Sequence, residues 1–410
     1  MKRYIYIILG IIVLAAIAIG VILFFRKQSL SSGVSDLLGS LPGVGTQTIG
    51  TSTGSVANNT TPTSSASSTT ATKTGVLSVD PVIAYFVSVN DNVVTVHPDG
   101  IVEAISNGQS TYLSSSEIAN VLSATFSYDG KKILVSFGDP IKPQWTVFDT
   151  GTKAWTSLPV SPVVVAWSPA NYQIAYFATV NGVSALETID LGNKNPKPVF
   201  VSAFPGEDFQ LLWKSPSDIL LEDRSSALFS GSIFDVNIKT ATISTVVVNK
   251  VGLETQWNAS GTMAVILAGT QLARGGQLGI INNSGLLLHQ LTFLTLPSKC
   301  VFPATAGATS TVTTNANAAP KNAFSAFGLI CAIPRNADSL NNNPLPDAYN
   351  EKMIFTSDDF YAVSLSSGAI TPLFVDQSQN FDASDIALSN NALYFINRYD
   401  NKLYSLKLTQ

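Results

Sequence analysis

The pattern that most restricts the fold of this chain is a strand–corner–strand unit that returns at a nearly fixed interval. It is clearest in SATFSYDGKKILVSF, residues 123–137, where an apolar run, a Ser-Tyr-Asp-Gly corner and a second apolar run follow one another. VVVAWSPANYQIAYFAT from Val163, FQLLWKSPSDILLED from Phe209, ETQWNASGTMAVILAG from Glu254 and DIALSNNALYFIN from Asp385 repeat it. Phe126, Trp167, Trp213, Trp257 and Phe302 mark successive units at spacings of 41, 46, 44 and 45 residues. One four-stranded propeller blade takes about 40–50 residues. Later in each unit, WTVFDTGTKAWTSL, SALETIDLGNKNPKPVFV, SIFDVNIKTATISTVV and FYAVSLSSGAITPLF read strand, tight turn, strand, the outer hairpin of such a blade. No sustained helical period interrupts these short runs after residue 76, so the expected class is all-β, a β-propeller.

The corner residues add a family resemblance. FSYDGKKIL followed by VFDTGTKAWTSL resembles the WD-like repeats of TolB-type β-propellers, which place Ser-Pro-Asp-Gly-Lys between two strands and then an Asp-x-x-Thr-Gly hairpin. Ser127, Asp129, Gly130 and Lys131 match, with Tyr128 in place of Pro. Ser168-Pro169 and Ser215-Pro216 match the first half, and Ser260-Gly261 part of the turn. The resemblance covers most of residues 82–408. It implies the fold and no particular activity, because propellers carry many. Five full units start near 122, 163, 208, 253 and 298. Residues 82–106 offer three strands without the inner one, and 383–408 three without the outer one, which VLSV at 76–79 is placed to complete. Seven blades are expected, with six as the alternative.

Two segments precede the repeats. Residues 4–25, YIYIILGIIVLAAIAIGVILFF, hold no charge and end in Phe-Phe-Arg-Lys rather than a small-residue cleavage site. A helix of that length spans roughly 33 Å, against a hydrocarbon core of about 30 Å. Residues 1–27 are therefore expected to be a transmembrane signal anchor, with the cell membrane as a partner through residues 4–25. Residues 28–75 are rich in Ser, Thr and Gly and are expected to form a disordered linker. Residues 76–410 form the expected propeller domain, with loop insertions near 303–324 and 335–352 whose composition argues for exposed loops. Flanking charges are nearly balanced, so the stalk-like linker decides the orientation: amino terminus inside, propeller on the extracytoplasmic side of the cell membrane.

Candidate sites are few. Cys300 and Cys331 fall on neighbouring strands of the sixth unit and form a possible disulfide, with free buried thiols or a reactive pair as alternatives. Trp167, Trp213 and Trp257 recur at equivalent positions, which suits packing between blades better than a stacking platform for sugars. His97 is placed at a strand end beside the Pro98-Asp99-Gly100 turn, and His289 is expected to point outward from its strand. Asp358, Asp359, Asp382 and Asp385 are expected as solvated turn acids. Gly50-Thr51-Ser52-Thr53-Gly54 matches the nucleophile pattern G-x-S-x-G but lacks the strand that chemistry needs. No catalytic, cofactor-binding or metal-binding residue is assigned, and no cofactor is expected.

Only 12% of residues are charged and the net charge is −4, which disfavours a nucleic-acid partner. The expected function is a non-enzymatic binding or scaffold module for a protein or envelope component held at a propeller face. One alternative is a propeller hydrolase or glycan-active enzyme, which would converge Arg and carboxylates in a central pocket. Another is an accessory domain of an envelope secretion or pilus machine.

Overall fold

The computed structural model describes residues 73–180, 182–206, 208–269, 274–303, 328–389 and 392–407. The strands are β1 (Lys73–Val76), β2 (Ala84–Val87), β3 (Val93–Val96), β4 (Val102–Ser106), β5 (Gln109–Tyr112), β6 (Val121–Phe126), β7 (Lys132–Asp139), β8 (Lys142–Asp149) and β9 (Ala154–Ser157). They continue with β10 (Val165–Trp167), β11 (Gln173–Val180), β12 (Val183–Asp190), β13 (Pro198–Phe204), β14 (Phe209–Ser215), β15 (Asp218–Asp223), β16 (Ser230–Asn237), β17 (Thr242–Trp257), β18 (Met263–Gly269), β19 (Gln277–Asn282) and β20 (Leu287–Gln290). Last come β21 (Cys300–Val301), β22 (Leu329–Pro334), β23 (Asp358–Val363), β24 (Ile370–Phe374), β25 (Ala383–Ser389), β26 (Ala392–Asn397) and β27 (Lys402–Lys407).

These strands form antiparallel sheets in chain order: β2 to β5, β6 to β9, β10 to β13, β21 to β24, and one of seven strands from β14 to β20. The remaining sheet runs β25-β26-β27-β1, so the earliest strand closes the latest sheet. The first strands make the inner ring: β2 packs on β6 and β25, β10 on β6 and β14, and β21 on β25. This is the β-propeller expected from the repeat.

Local chemistry explains each corner. In the second sheet, Ser127 Oγ and the Lys131 amide donate to Asp129 Oδ1 at 3.0 and 3.1 Å, folding the chain back between β6 and β7. Gly130 has φ +71, and a Cβ there would stand 2.3 Å from the Phe86 ring, so both backbone and packing require glycine. Tyr172 OH donates to Asp129 Oδ2 at 2.8 Å, tying this corner to that of the next sheet. Apolar residues fill the space between neighbouring sheets. Trp213 and Trp257 are buried there, and Trp167 donates its indole N–H across to Thr125 O at 3.1 Å. The recurring aromatics are thus packing residues.

Four expectations need correction. The closing strand is Lys73–Val76, paired from Lys73↔Lys407 to Val76↔Tyr404, rather than residues 76–79; backbone hydrogen bonds suffice there, and Val79 is left exposed. The expected linker therefore ends before Lys73. The first unit does possess its inner strand, β2, and its fourth strand is the wholly exposed β5, which lacks an apolar signal. The fourth and fifth units share β17, whose early residues pair with β16 and late residues with β18. Gly252 at φ +62 lets that strand turn beneath Leu345 O, which a Cβ would approach to 2.6 Å.

The second insertion is also not an exposed loop. Two short helices, α1 (Asp338–Asn341) and α2 (Asp347–Asn350), bury Leu340, Leu345, Ala348 and Tyr349. Those side chains join the cluster of Leu267, Leu278 and Cys331 between the fifth and sixth units. A few well-spaced apolar residues in an Asn-rich segment are enough, each large one contributing about 1.5–3 kcal/mol on burial. Most of the first insertion, from residue 304, lies outside the described residues, as do residues 4–25 and Gly50 to Gly54. The expected localisation, a single-pass cell-membrane protein with an extracytoplasmic propeller, is set aside: no helix among the described residues is long and apolar enough to cross a membrane.

Candidate functional site

In antiparallel sheets laid out in chain order, alternate connections share one end. The links between second and third strands, and those from one sheet into the next, therefore gather at a single end of the ring. The opposite end carries the polar corners such as SYDGK, SPANY and NASGT and the outer-hairpin turns SNGQ and TGTK. The first end differs. Ile141, Phe229 and Met353 stand there at 83%, 71% and 70% exposure, with Leu228 and Tyr399 also exposed.

The inner strands begin at this same end, and the channel they enclose opens there into a pocket of about 500 Å³. Its wall combines Ile83 and Leu122 beside β2 and β6, Ser298, Ser384 and Asp385 on the inner ring, and Tyr349, Asn350 and Lys352 from the second insertion, with Arg398 and Asn401 alongside.

Behind the pocket lies a buried ionic network. Lys299 Nζ contacts Asp358 Oδ2 and Asp382 Oδ1, each at 2.6 Å, and Thr356 Oγ1 at 2.7 Å. The Lys299, Asp358 and Asp382 side chains are all 0% exposed. Arg398 Nη1 reaches Asp382 Oδ2 at 2.7 Å, and its Nη2 donates to Tyr349 O at 2.6 Å. Its guanidinium lies 3.6 Å from the Tyr349 ring centroid, and Tyr349 OH donates to Asp382 Oδ1 at 2.9 Å. Two cations and two carboxylates thus balance in a dry site and pin the insertion to the ring. Burial pushes Asp382 up, but Lys299, Arg398 and the Tyr349 hydroxyl outweigh it and hold its pKa below the ordinary value. Asp358 goes the other way. Burial raises it beyond what Lys299 offsets, and its Oδ1 has no hydrogen-bond partner among the described residues.

Asp385 is placed by a distortion. The β25–β26 register shifts between Ser384 and Ala387, and Asp385 sits at φ +50 in that bulge. Tyr85 OH donates to its carbonyl, and to Tyr394 O at 2.9 Å. The result is a carboxylate in the channel mouth rather than in a sheet face. Surrounding protein raises its pKa, opposed by a Ser384 hydrogen bond and the Arg398 charge. Nearby, Glu254 Oε1 accepts from the Ser298 amide at 3.3 Å while its Oε2 lacks a partner among the described residues; burial raises its pKa. Deeper, Glu222 is pushed up to about 7, first by burial, although Thr255 donates to it through both amide and hydroxyl.

The other candidates are placed as follows. Cys300 and Cys331 are register partners on β21 and β22 and form a buried disulfide with sulfurs 2.09 Å apart. His97 ends β3 beside its turn, buried, with Nε2 3.2 Å from Glu103 Oε2 and from Thr95 Oγ1. His289 is half-buried against Gly368 and not simply outward. Asp358, Asp359 and Asp382 are buried rather than solvated, Asp359 pairing with Arg335 at 2.9 Å. Local rules expose an Asp by default. Here strands distant in sequence supply the partners, so no short-range signal existed.

No family model and no curated protein matches the sequence. Solved structures do resemble the fold. TolB from Acinetobacter baumannii matches at 17% identity over 51% of this chain and 53% of its own, TM-score 0.38, so this chain spans about half its length. The Cps50 (Swd1) propeller domain of Myceliophteria thermophila matches at 10% identity over 82% of this chain and 98% of its own, TM-score 0.51. Oligogalacturonate lyase from Vibrio parahaemolyticus matches at 8% identity over 84% and 95%, TM-score 0.52. Propellers with and without enzymatic activity stand side by side in this set, and what the described residues share with them is the β-propeller fold.

Proposed function

We propose that this chain is a binding module whose protein partner docks on the channel-mouth end of the ring. We read the ring as seven blades, the seven-stranded sheet counting as two units that share β17. The observation that carries the reading is the contrast between the ends. Apolar tips from separate units, Ile141, Phe229 and Met353, ring a polar pocket whose wall is locked by a buried ionic network. Scattered exposed apolar residues are ordinary, but tips gathered on one end of a rigid scaffold are what a protein interface uses.

A glycan-active enzyme is the second reading, favoured by the meeting of Arg398 and Asp385 at the mouth. Two facts weigh against it. The Arg398 guanidinium is already spent on Asp382 and Tyr349. Asp385 is the one carboxylate among the described residues lining the pocket, whereas glycoside hydrolysis takes two.

Affinity capture with the intact chain tests the first reading. A protein retained by the wild type should be lost from an Ile141→Asp/Phe229→Asp/Met353→Asp variant and kept by Lys153→Asp/Lys239→Asp at the opposite end. The reverse pattern, or steady polysaccharide turnover abolished by Asp385→Asn, would sink it.

A further inference from the structure

Asp385 stands out among the acids of this chain. Asp358, Asp359 and Asp382 are each consumed by Lys299, Arg335 or Arg398. Asp129 and Asp149 serve corners and pair with Lys131 and Lys132. Asp385 alone combines an exposed side chain, a place in the wall of the 500 Å³ mouth, and a bulge that takes it out of the regular strand. It forms no ion pair in the structure, because Arg398, the nearest cation acting on it, is bound to Asp382. Behind Ser298 in the same wall, Glu254 adds a second carboxyl oxygen with no partner among the described residues.

We infer that Asp385 is the contact for a cationic side chain, an arginine guanidinium or lysine ammonium, carried by a partner segment that enters the channel mouth. This rests on the docking reading above and names the chemistry that such a segment must bring. An enclosed carboxylate without a counter-charge is poorly solvated, and an entering cation supplies both a charge and hydrogen bonds. The raised pKa of Asp385 agrees with that need. The charged groups facing it are Arg398 and, on the rim, Lys352. Arg398 is neutralised by Asp382, whereas Lys352 forms no salt bridge in the structure. Lys352 therefore opposes the incoming cation, and the two residues carry opposite signs in a binding test.

The test uses N-acetyl-arginine amide as probe, titrated into the intact chain by NMR at pH 7.5 and low salt, an arbitrary choice of about one pH unit above where an enclosed carboxyl still titrates. Asp385→Asn keeps the shape and tolerates the positive φ, as Asn commonly does. The expected result is a saturable shift of resonances around Tyr349, Asn350 and Asn401, weakened about tenfold or more by Asp385→Asn and unchanged or tightened by Lys352→Ala. Overturning results are no saturable shift with wild type, equal affinity in Asp385→Asn, or preference for N-acetyl-glutamate amide lost on Lys352→Ala. Partner capture separates the two levels. If Asp385→Asn leaves the probe response intact while the apolar tips still govern capture, this inference fails and the docking reading stands. If capture ignores the tips, the docking reading itself fails.

Discussion

Replacing Lys299 with Met should be among the most damaging single changes in the ring. Met keeps the length and apolar stem and removes the ammonium. Three hydrogen bonds of 2.6 to 2.7 Å vanish from a site whose charged side chains have no solvent exposure. Asp382 keeps Arg398, Tyr349 and Thr356. Asp358 keeps only the Ala383 amide at 2.9 Å. Breaking a buried pair from one side costs about 3–5 kcal/mol, a large share of the about 5–15 kcal/mol that holds a domain together. Urea unfolding followed by tryptophan fluorescence measures this directly. The pH dependence has a definite sign. Asp358 is already raised in the folded state and rises further without Lys299, so the folded state then holds a proton that the unfolded state releases. The deficit should be smallest at acidic pH and grow as pH rises above the ordinary aspartate value. Asp358→Asn added to Lys299→Met should recover part of the loss. A deficit below about 1 kcal/mol at neutral pH, or one that neither shrinks in acid nor responds to Asp358→Asn, would refute the claim that the network carries buried charge.

Three further outcomes follow from the same geometry. Asp129→Ala removes acceptors for Ser127, Lys131 and Tyr172 at a half-exposed corner, so chemical denaturation should show a loss of about 1–2 kcal/mol with the fold retained. Cys300→Ala/Cys331→Ala opens a loop of sequence separation 31 and should lower stability by about 3–4 kcal/mol in the chain-entropy account, with no change in the wild type under non-reducing conditions. Glu222, held at about 7 by burial, is protonated more readily folded than unfolded, so it costs stability as pH rises from its unfolded value toward 7. Glu222→Gln should therefore gain on the wild type between pH 5 and pH 8, by about 1–3 kcal/mol at the upper end, as read by thermal melts at both values.

What the sequence showed and what it hid divide along contact distance. The Ser-Tyr-Asp-Gly corner, the outer hairpins and the spaced tryptophans act within a few residues or one repeat, and they announce the propeller. Lys299 reaches partners 59 and 83 residues away, so nothing beside it in LPSKCVF marks it as buried. DSLNNNPLPDAYN looks unpackable by composition, yet Leu340, Leu345 and Tyr349 fall where the fifth and sixth units leave a seat for them. Asp385 depends on a bulge and on Tyr85, some 300 residues earlier, which no local pattern foretells.

The most direct check on the central claim is photo-crosslinking from single positions on the two ends of the ring. A photoreactive residue at position 229 or 353 should trap one defined protein partner, and the same residue at 153 or 239 should not. Crosslinks to that partner from 153 or 239, with none from 229 or 353, would contradict docking at the channel mouth.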